Sequence, residues 1–288
     1  MNNLYIEDND FRIYQPFFKN HTLGFEQKMV YFPTQIRFYH FFMPETYLDK
    51  TVFNGVPHGC VDTIFIYNDT DYFVEVLGTP KHRKVLASHP GYHYFGFRLK
   101  PGMFFSLDDF SLAEVADREI SYSSFDVPLF GGFVERLSKL RRLDEMIGLF
   151  LPLYGGMFTD CWLTDSVKAI ISRVNDTRGV ATVAQLAHEL CYSERQLARL
   201  MKSDTNISLK TFLRITRFQN ALHNMIRAGG GTAGPAPSRP ETLASCIAGL
   251  GYADQAHFSR EFKEFTGISP RQFMKYYYQN RGRMRISE

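Results

Sequence analysis

Residues 251–273 read GYADQAHFSREFKEFTGISPRQF, and the punctuation of this stretch decides the helical part of the fold. Asp254 is a side chain suited to cap a helix, and Phe258 and Phe262 recur behind it at helical spacing. Ser269, Pro270 and Gln272 then open a further helix with an S-x-x-Q box and proline at its favoured first position. Upstream, Thr242 starts a short apolar helix that runs to Leu250 and meets the Asp254 helix through a tight turn. A short apolar helix, a tight turn and a capped helix with a basic outer face is the sequence form of a helix-turn-helix.

The same pattern occurs once before. VAQLAHELCYSERQLARLMKSDTNISLKTFL, from Val183, aligns with the segment from Leu243 at an offset of 60 up to Tyr192 and Tyr252 and of 61 from Leu197 and Phe258 onward. Leu190 matches Leu250, Arg199 matches Arg260, Lys202 matches Lys263, and Phe212 matches Phe273. Thr182 with Gln185 and Ser193 with Gln196 make capping boxes for the two helices of this earlier copy. The units are placed at about 182–203 and 242–265. Between them Ser208 opens an amphipathic helix to about Arg227, long enough at ~30 Å to approach the ~34 Å between successive major-groove faces. One chain is therefore expected to reach two adjacent grooves.

In the first copy Arg195, Gln196, Arg199 and Lys202 lie opposite Leu197, Leu200 and Met201, and in the second Gln255, His257, Ser259, Arg260 and Lys263 lie away from Phe258 and Phe262. Arginine reads guanine through two parallel hydrogen bonds, glutamine reads adenine, and lysine holds phosphate as a point charge. Residues 163–288 resemble the DNA-binding module of the AraC/XylS family of bacterial transcription regulators, most specifically from Gly251 to Phe273. The resemblance implies base reading by Arg195, Gln196, Ala198 and Arg199, and by Gln255, Ala256, His257, Ser259 and Arg260. Lys202, Lys263 and Arg271 are expected on phosphates. Two positions depart from the family pattern: Ile247 stands where Ala187 stands in the first copy, and the Gly/Pro-rich loop from Ala228 to Glu241 is long.

Charge and aromatic content divide the chain near Trp162. Residues 1–162 hold 15 basic and 20 acidic side chains, a balance of −5, while residues 163–288 hold 18 and 10, a balance of +8, within an overall +3. Of the 44 aromatic side chains, 33 lie in the first part. A β-rich domain over 1–162 and a helical domain over 163–288 is the expected organisation, an α+β fold overall. IRFYHFF, CVDTIFIY and YFVEVL, separated by PET, NGVPHG, NDTD and GTPKHR, read as strands of a curled sheet or small cupin-like barrel. Phe110 to Val115 reads as a short helix, and Phe133, Leu137, Leu140, Leu143, Ile147 and Phe150 as one face of a longer one, a pattern broken by Pro152 and the glycines at 155 and 156. GVPHGCVDTIFIY (55–67) and residues 95–122 look like the β-rich sensor domain of some family members, which implies effector sensing or dimerisation.

No catalytic or metal-binding set is nominated. His58, His89 and His93 lack an H-x-H with a following carboxylate, and His89 and His93 beside Pro90 and Gly91 are expected to face solvent in a turn. The four cysteines form no C-x-x-C pair, and the acidic N-terminus has no basic leader, so a reducing cytoplasm without membrane insertion is the expected setting. Cys60 is expected to be a buried structural thiol. The leading reading is a transcription regulator, not an enzyme and without a cofactor. Its expected partners are double-stranded DNA, a small-molecule effector in the N-terminal domain, a second copy of the chain and, for an activator, RNA polymerase. A methyl-accepting DNA-repair enzyme and an architectural DNA binder without effector are the alternatives, separable by methyl transfer and by ligand-dependent stabilisation of residues 1–162.

Overall fold

Side chains that branch at Cβ or carry rings fit a pleated surface, and the aromatic runs of the first half form strands accordingly. The computed structural model describes Gln15 and residues 22–32, 35–45, 52–101, 103–105, 112–160, 163–228 and 243–279. In chain order the strands are β1 (Leu23–Tyr31), β2 (Gln35–Phe42), β3 (Val52–Gly55), β4 (Asp62–Tyr67), β5 (Tyr72–Leu77), β6 (Lys84–Ala87), β7 (His93–Leu99) and β8 (Met103–Phe105). Helix α1 (Leu112–Val115), β9 (Glu119–Ser123), helices α2 (Gly131–Leu137) and α3 (Leu143–Tyr154), and β10 (Phe158–Asp160) follow. The main sheet is antiparallel in the order β1-β2-β7-β4-β5-β9, with β3 and β6 and then β8 and β10 paired apart from it. Among the described residues this sheet stays open between its edge strands, so the β-rich half is as expected but is not closed into a barrel.

Both faces of the sheet are covered, so its central strands read as near-continuous apolar runs instead of clean alternation. One face carries Phe38, Phe65, Phe95 and Phe97 into a core with Phe133, Met146 and Phe150 of α2 and α3. The other carries Tyr39, Phe41, Ile64, Ile66 and Tyr94, with Leu86 of β6 packed against them. On that second face Arg98 pairs with Asp62 through two hydrogen bonds of 2.7 and 2.6 Å, both side chains buried. Tyr39 lies flat over Gly96, where a Cβ would stand 2.5 Å from its ring.

The expected long helix from Phe133 to Phe150 is two helices. The Leu143 N–H is capped by Glu26 Oε2 at 3.0 Å, and Arg141 donates to Ser138 O and Leu140 O. Side chains thus satisfy the backbone groups that the break exposes. Their apolar spacing survives because both helices serve one core. The helix ends at Tyr154, directly before Gly155 and Gly156, and Pro152 lies within its last turn, where its missing N–H forfeits the bond to Gly148. The described part of the expected Phe110 helix is Leu112–Val115, and Phe110 lies outside the described residues.

The described elements of the second half are helices: α4 (Asp165–Asp176), α5 (Val183–Glu189), α6 (Glu194–Thr205), α7 (Leu209–Ala228), α8 (Leu243–Ile247), α9 (Gln255–Thr266) and α10 (Pro270–Gln279). The capping boxes at Thr182 and Ser193 are formed, and Ser269 and Gln272 bond reciprocally in the same way. Thr164 caps α4, its side chain accepting the Val167 N–H. Beyond Ala228, which ends α7, the Gly/Pro-rich loop lies outside the described residues. Among the described residues no helix is long and apolar enough to cross a membrane.

Candidate nucleic-acid interface

The two copies of the repeat match atom by atom at the ends of their second helices. Helices α6 and α9 have 12 residues each, begin after the N-caps Ser193 and Asp254, and end on the left-handed residues Asn206 and Gly267. Asparagine and glycine are the side chains that tolerate this conformation. Buried Thr205 donates from Oγ1 to Met201 O at 2.6 Å, and Thr266 donates to Phe262 O at 2.7 Å. Their hydroxyls accept the N–H of Ile207 and of Ile268. Each helix buries one stripe, Leu197 and Met201 in α6 and Phe258, Phe262 and Phe265 in α9, and turns the other outward.

The outward stripes hold most of the expected contact residues. Arg195, Gln196, Ala198, Arg199 and Lys202 are exposed on α6; Gln255, Ala256, Arg260 and Lys263 are exposed on α9, and Arg271 on α10. His257 and Ser259 are half-buried. His257 Nδ1 accepts the Ala253 N–H at 3.4 Å and its ring stands edge-on to Tyr252, so this side chain helps hold the turn. Gln196 spends its carbonyl oxygen on the Ser193 cap, leaving its amide N–H groups for an outside partner. Lys202 Nζ donates to Asn206 O at 3.0 Å and to its Oδ1 at 2.7 Å, an arrangement that favours the negative end of α6.

Sequence reading did not find what holds the second unit to α7. Glu261, 3% exposed, accepts from Arg214 Nε at 2.8 Å, from Arg217 Nη2 at 3.2 Å and from the Tyr252 hydroxyl at 2.8 Å. Arg214 also bonds Glu264 at 2.6 Å and lies over the Phe265 ring, while Arg217 lies over Tyr252. Burial, and then the Glu261 charge, push the Tyr252 phenol well above its ordinary range. The network uses two of the arginines that give this half its positive charge, so not all of that charge faces outward. A signal existed: Glu261 matches Leu200 of the first copy, a charge at an apolar repeat position.

Ile247 is buried where Ala187 is buried in the first copy.

Among the described residues no group of three or more His, Cys, Asp or Glu side chains could hold a metal ion. His58 is fully buried, accepts the Cys60 N–H on Nδ1 and has its pKa lowered to about 3, chiefly by burial. Cys60 is buried and burial pushes its thiol up, the opposite of nucleophile activation. Cys161 lies outside the described residues. His93 departs from the expected solvent-facing turn. It opens β7 opposite Phe42 and Tyr67 and stacks between Tyr67 and His40, because the turn ends at Tyr92 and the strand pairing begins with His93 itself. His89 stays in the turn, half-buried with its ring edge-on to Phe73.

The two halves touch along an apolar seam. Val61, Val76, Val115 and Ala116 share one core with Val167, Leu197, Met201 and Phe212, and Val56 joins the core of the second unit. The segment from Gly55 to Val61 is buried throughout, and a Cβ on Gly59 would stand 3.0 Å from the Phe212 ring.

Comparison with known proteins finds a family model, described as a helix-turn-helix domain, over residues 186–276. A second, described only as a domain of unknown function, matches residues 35–121. No curated protein matches. Among solved structures, an apo variant of ToxT from Vibrio cholerae is similar at 14% identity and a TM-score of 0.45, over 84% of this chain and 96% of that one. ToxT from Vibrio cholerae bound to (E)-4-(8-methylnaphthalen-1-yl)but-3-enoic acid is similar at 14% identity and 0.43, over 78% and 94%.

Proposed function

We propose that the chain is a transcription regulator of the AraC/XylS family, a reading supported by the helix-turn-helix domain matched over residues 186–276 and by the resemblance of residues 251–273. We propose that it regulates transcription by reading two adjacent major grooves with α6 and α9, the helical domain spanning 163–288 and a regulatory domain spanning 1–162. The observation that carries this reading is the pair of 12-residue helices with matched caps and exposed polar stripes, joined by the 20-residue α7. A helix of that length spans ~30 Å, near the ~34 Å repeat of the major groove.

The proposed base-reading residues are Arg195, Gln196, Ala198 and Arg199 in α6 and Gln255, Ala256, His257, Ser259 and Arg260 in α9. Lys202, Lys263 and Arg271 are proposed on phosphates, Lys202 with its ammonium shared with the α6 C-terminus. A small-molecule effector acting through the N-terminal half is part of the proposal, since that half packs directly on α6 and α7.

The test is selection of bound fragments from random DNA by the full chain, followed by footprinting of the recovered site. The reading expects an asymmetric site of nearly two helical turns protected by one chain. Protection of only one half of that site, unchanged when Arg260 is replaced by Ala, would overturn it.

A further inference from the structure

The N-terminal half grips the helical half at three places. Asn206, the C-cap of α6, donates from Nδ2 to Ala113 O at 3.3 Å. Gly267, the C-cap of α9, lies against Arg83 so closely that a Cβ there would stand 2.5 Å from Nη1. Between these, Gln219 of α7 donates from Nε2 to Pro57 O at 2.7 Å. Asn206 and Gly267 occupy matched positions of the repeat, so both reading helices are held by the same end. That end lies away from their N-terminal turns, where Arg195 and Gln255 stand.

The two outer grips belong to one piece of structure. The Gly78 N–H donates to Arg118 O at 2.9 Å and the Asp117 N–H to Thr79 O at 3.0 Å. The Lys81 N–H donates to Asp117 Oδ1 at 3.2 Å. Gly78 permits the approach, because a Cβ on it would lie 1.6 Å from Val115 O. The turn that carries Arg83 and the helix that carries Ala113 are therefore fastened together as a single knuckle.

We propose that this knuckle, residues 78–83 and 113–118, is a spacing brace that sets the separation and angle of α6 and α9, with Arg83 and Asn206 as positioning residues for half-site spacing. The proposal rests on the two-groove reading above. Helix α7 fixes a length, but α6 meets it at the turn 206–208 and the second unit follows it only after the Gly/Pro-rich residues 229–242, and one base pair of spacing shifts a half-site by only ~3.4 Å and about a tenth of a turn. Discrimination that fine needs a second tie between the units, and the knuckle is one that bypasses α7.

The test uses the full chain and duplexes in which the selected half-sites are moved apart or together by one and two base pairs. The wild-type protein is expected to prefer its own spacing over the neighbouring ones by about tenfold, and the Arg83→Ala, Asn206→Gly double variant by only about twofold. Glycine at 206 keeps the left-handed cap while deleting the bond to Ala113 and the Lys202 bond to Oδ1, the latter acting alike at every spacing, and a thermal melt verifies that the fold is retained. An unchanged spacing profile in the folded double variant, or an equal loss at every spacing, would overturn the brace. Wild-type protein with no preferred site at any spacing would overturn the two-groove reading itself and the spacing role with it. Spin labels at positions 199 and 260, with Cys161 and Cys191 replaced by Ser, separate these failures. A narrow distance distribution that broadens in the double variant supports the brace, and equal widths reject it.

Discussion

Glu261 is a buried carboxylate among two guanidinium groups and a phenol, and every one of its bonds holds the second unit to α7 or closes its turn. Removing one member of a buried charge network strands the others, so Glu261→Ala is expected to destabilise the protein by ~3 to 5 kcal/mol, read from urea melts. Arg199 and Arg260 have no such partner to strand on the outward stripes. Arg199→Ala or Arg260→Ala should leave the melt unchanged and cost ~1 to 3 kcal/mol of specific binding, with base preference relaxed locally. Equal losses on specific and random DNA would contradict base reading. Buried histidines set a pH limit from the other half. His40 and His58 are held neutral, with pKa values lowered to about 4 and about 3, both chiefly by burial. Their unfolded-state value lies near 6.5, so the unfolded chain binds protons first as pH falls. Their stabilisation is complete above about pH 6.5 and declines below it by up to ~1.4 kcal/mol per pH unit for each group. Urea melts at pH 7 and pH 5 check this, and His40→Phe should reduce the difference.

At the scale of elements, legibility in sequence followed the range of the interaction. The boxes at Thr182, Ser193 and Ser269 were legible because a cap is made within four residues, and the repeat doubled the signal. The break between α2 and α3 was not, because its cap is Glu26, more than a hundred residues away in the chain. The openness of the sheet was equally hidden, since strand runs state how many strands there are and not which edges meet. Of the proposed contact residues, those on one helix face were legible by periodicity, while the half-burial of His257 depends on Tyr252 across a turn. The same locality makes the caps testable. Ser193→Ala and Asp254→Ala should each cost ~0.5 to 2 kcal/mol of stability, since each side chain accepts a first-turn N–H of α6 or α9. Equal small losses at the two sites would show the copies to be energetically alike as well as geometrically matched.

For the whole molecule, the opposed charges of −5 and +8 make the halves electrostatically distinct, yet the packing does not keep them apart. Val61, Val76, Val115 and Ala116 come from the sheet-rich half and lie in the same core as Leu197 and Met201 of α6. Unfolding the sheet would expose the apolar underside of α6, and unfolding α6 would expose Val76 and Val115. Burial of that kind stabilises each side chain by ~1.5 to 3 kcal/mol, which is large against the ~5 to 15 kcal/mol that holds a whole domain. The halves are therefore expected to melt together. Calorimetry of the full chain should give one transition whose van't Hoff enthalpy matches the calorimetric one. Two resolved transitions would mean that the seam does not couple the halves, and a regulatory signal would then need a path other than this shared core. Replacing Val115 by Asp places an unpaired charge in the seam, and it should split the single transition if the seam is what joins the halves.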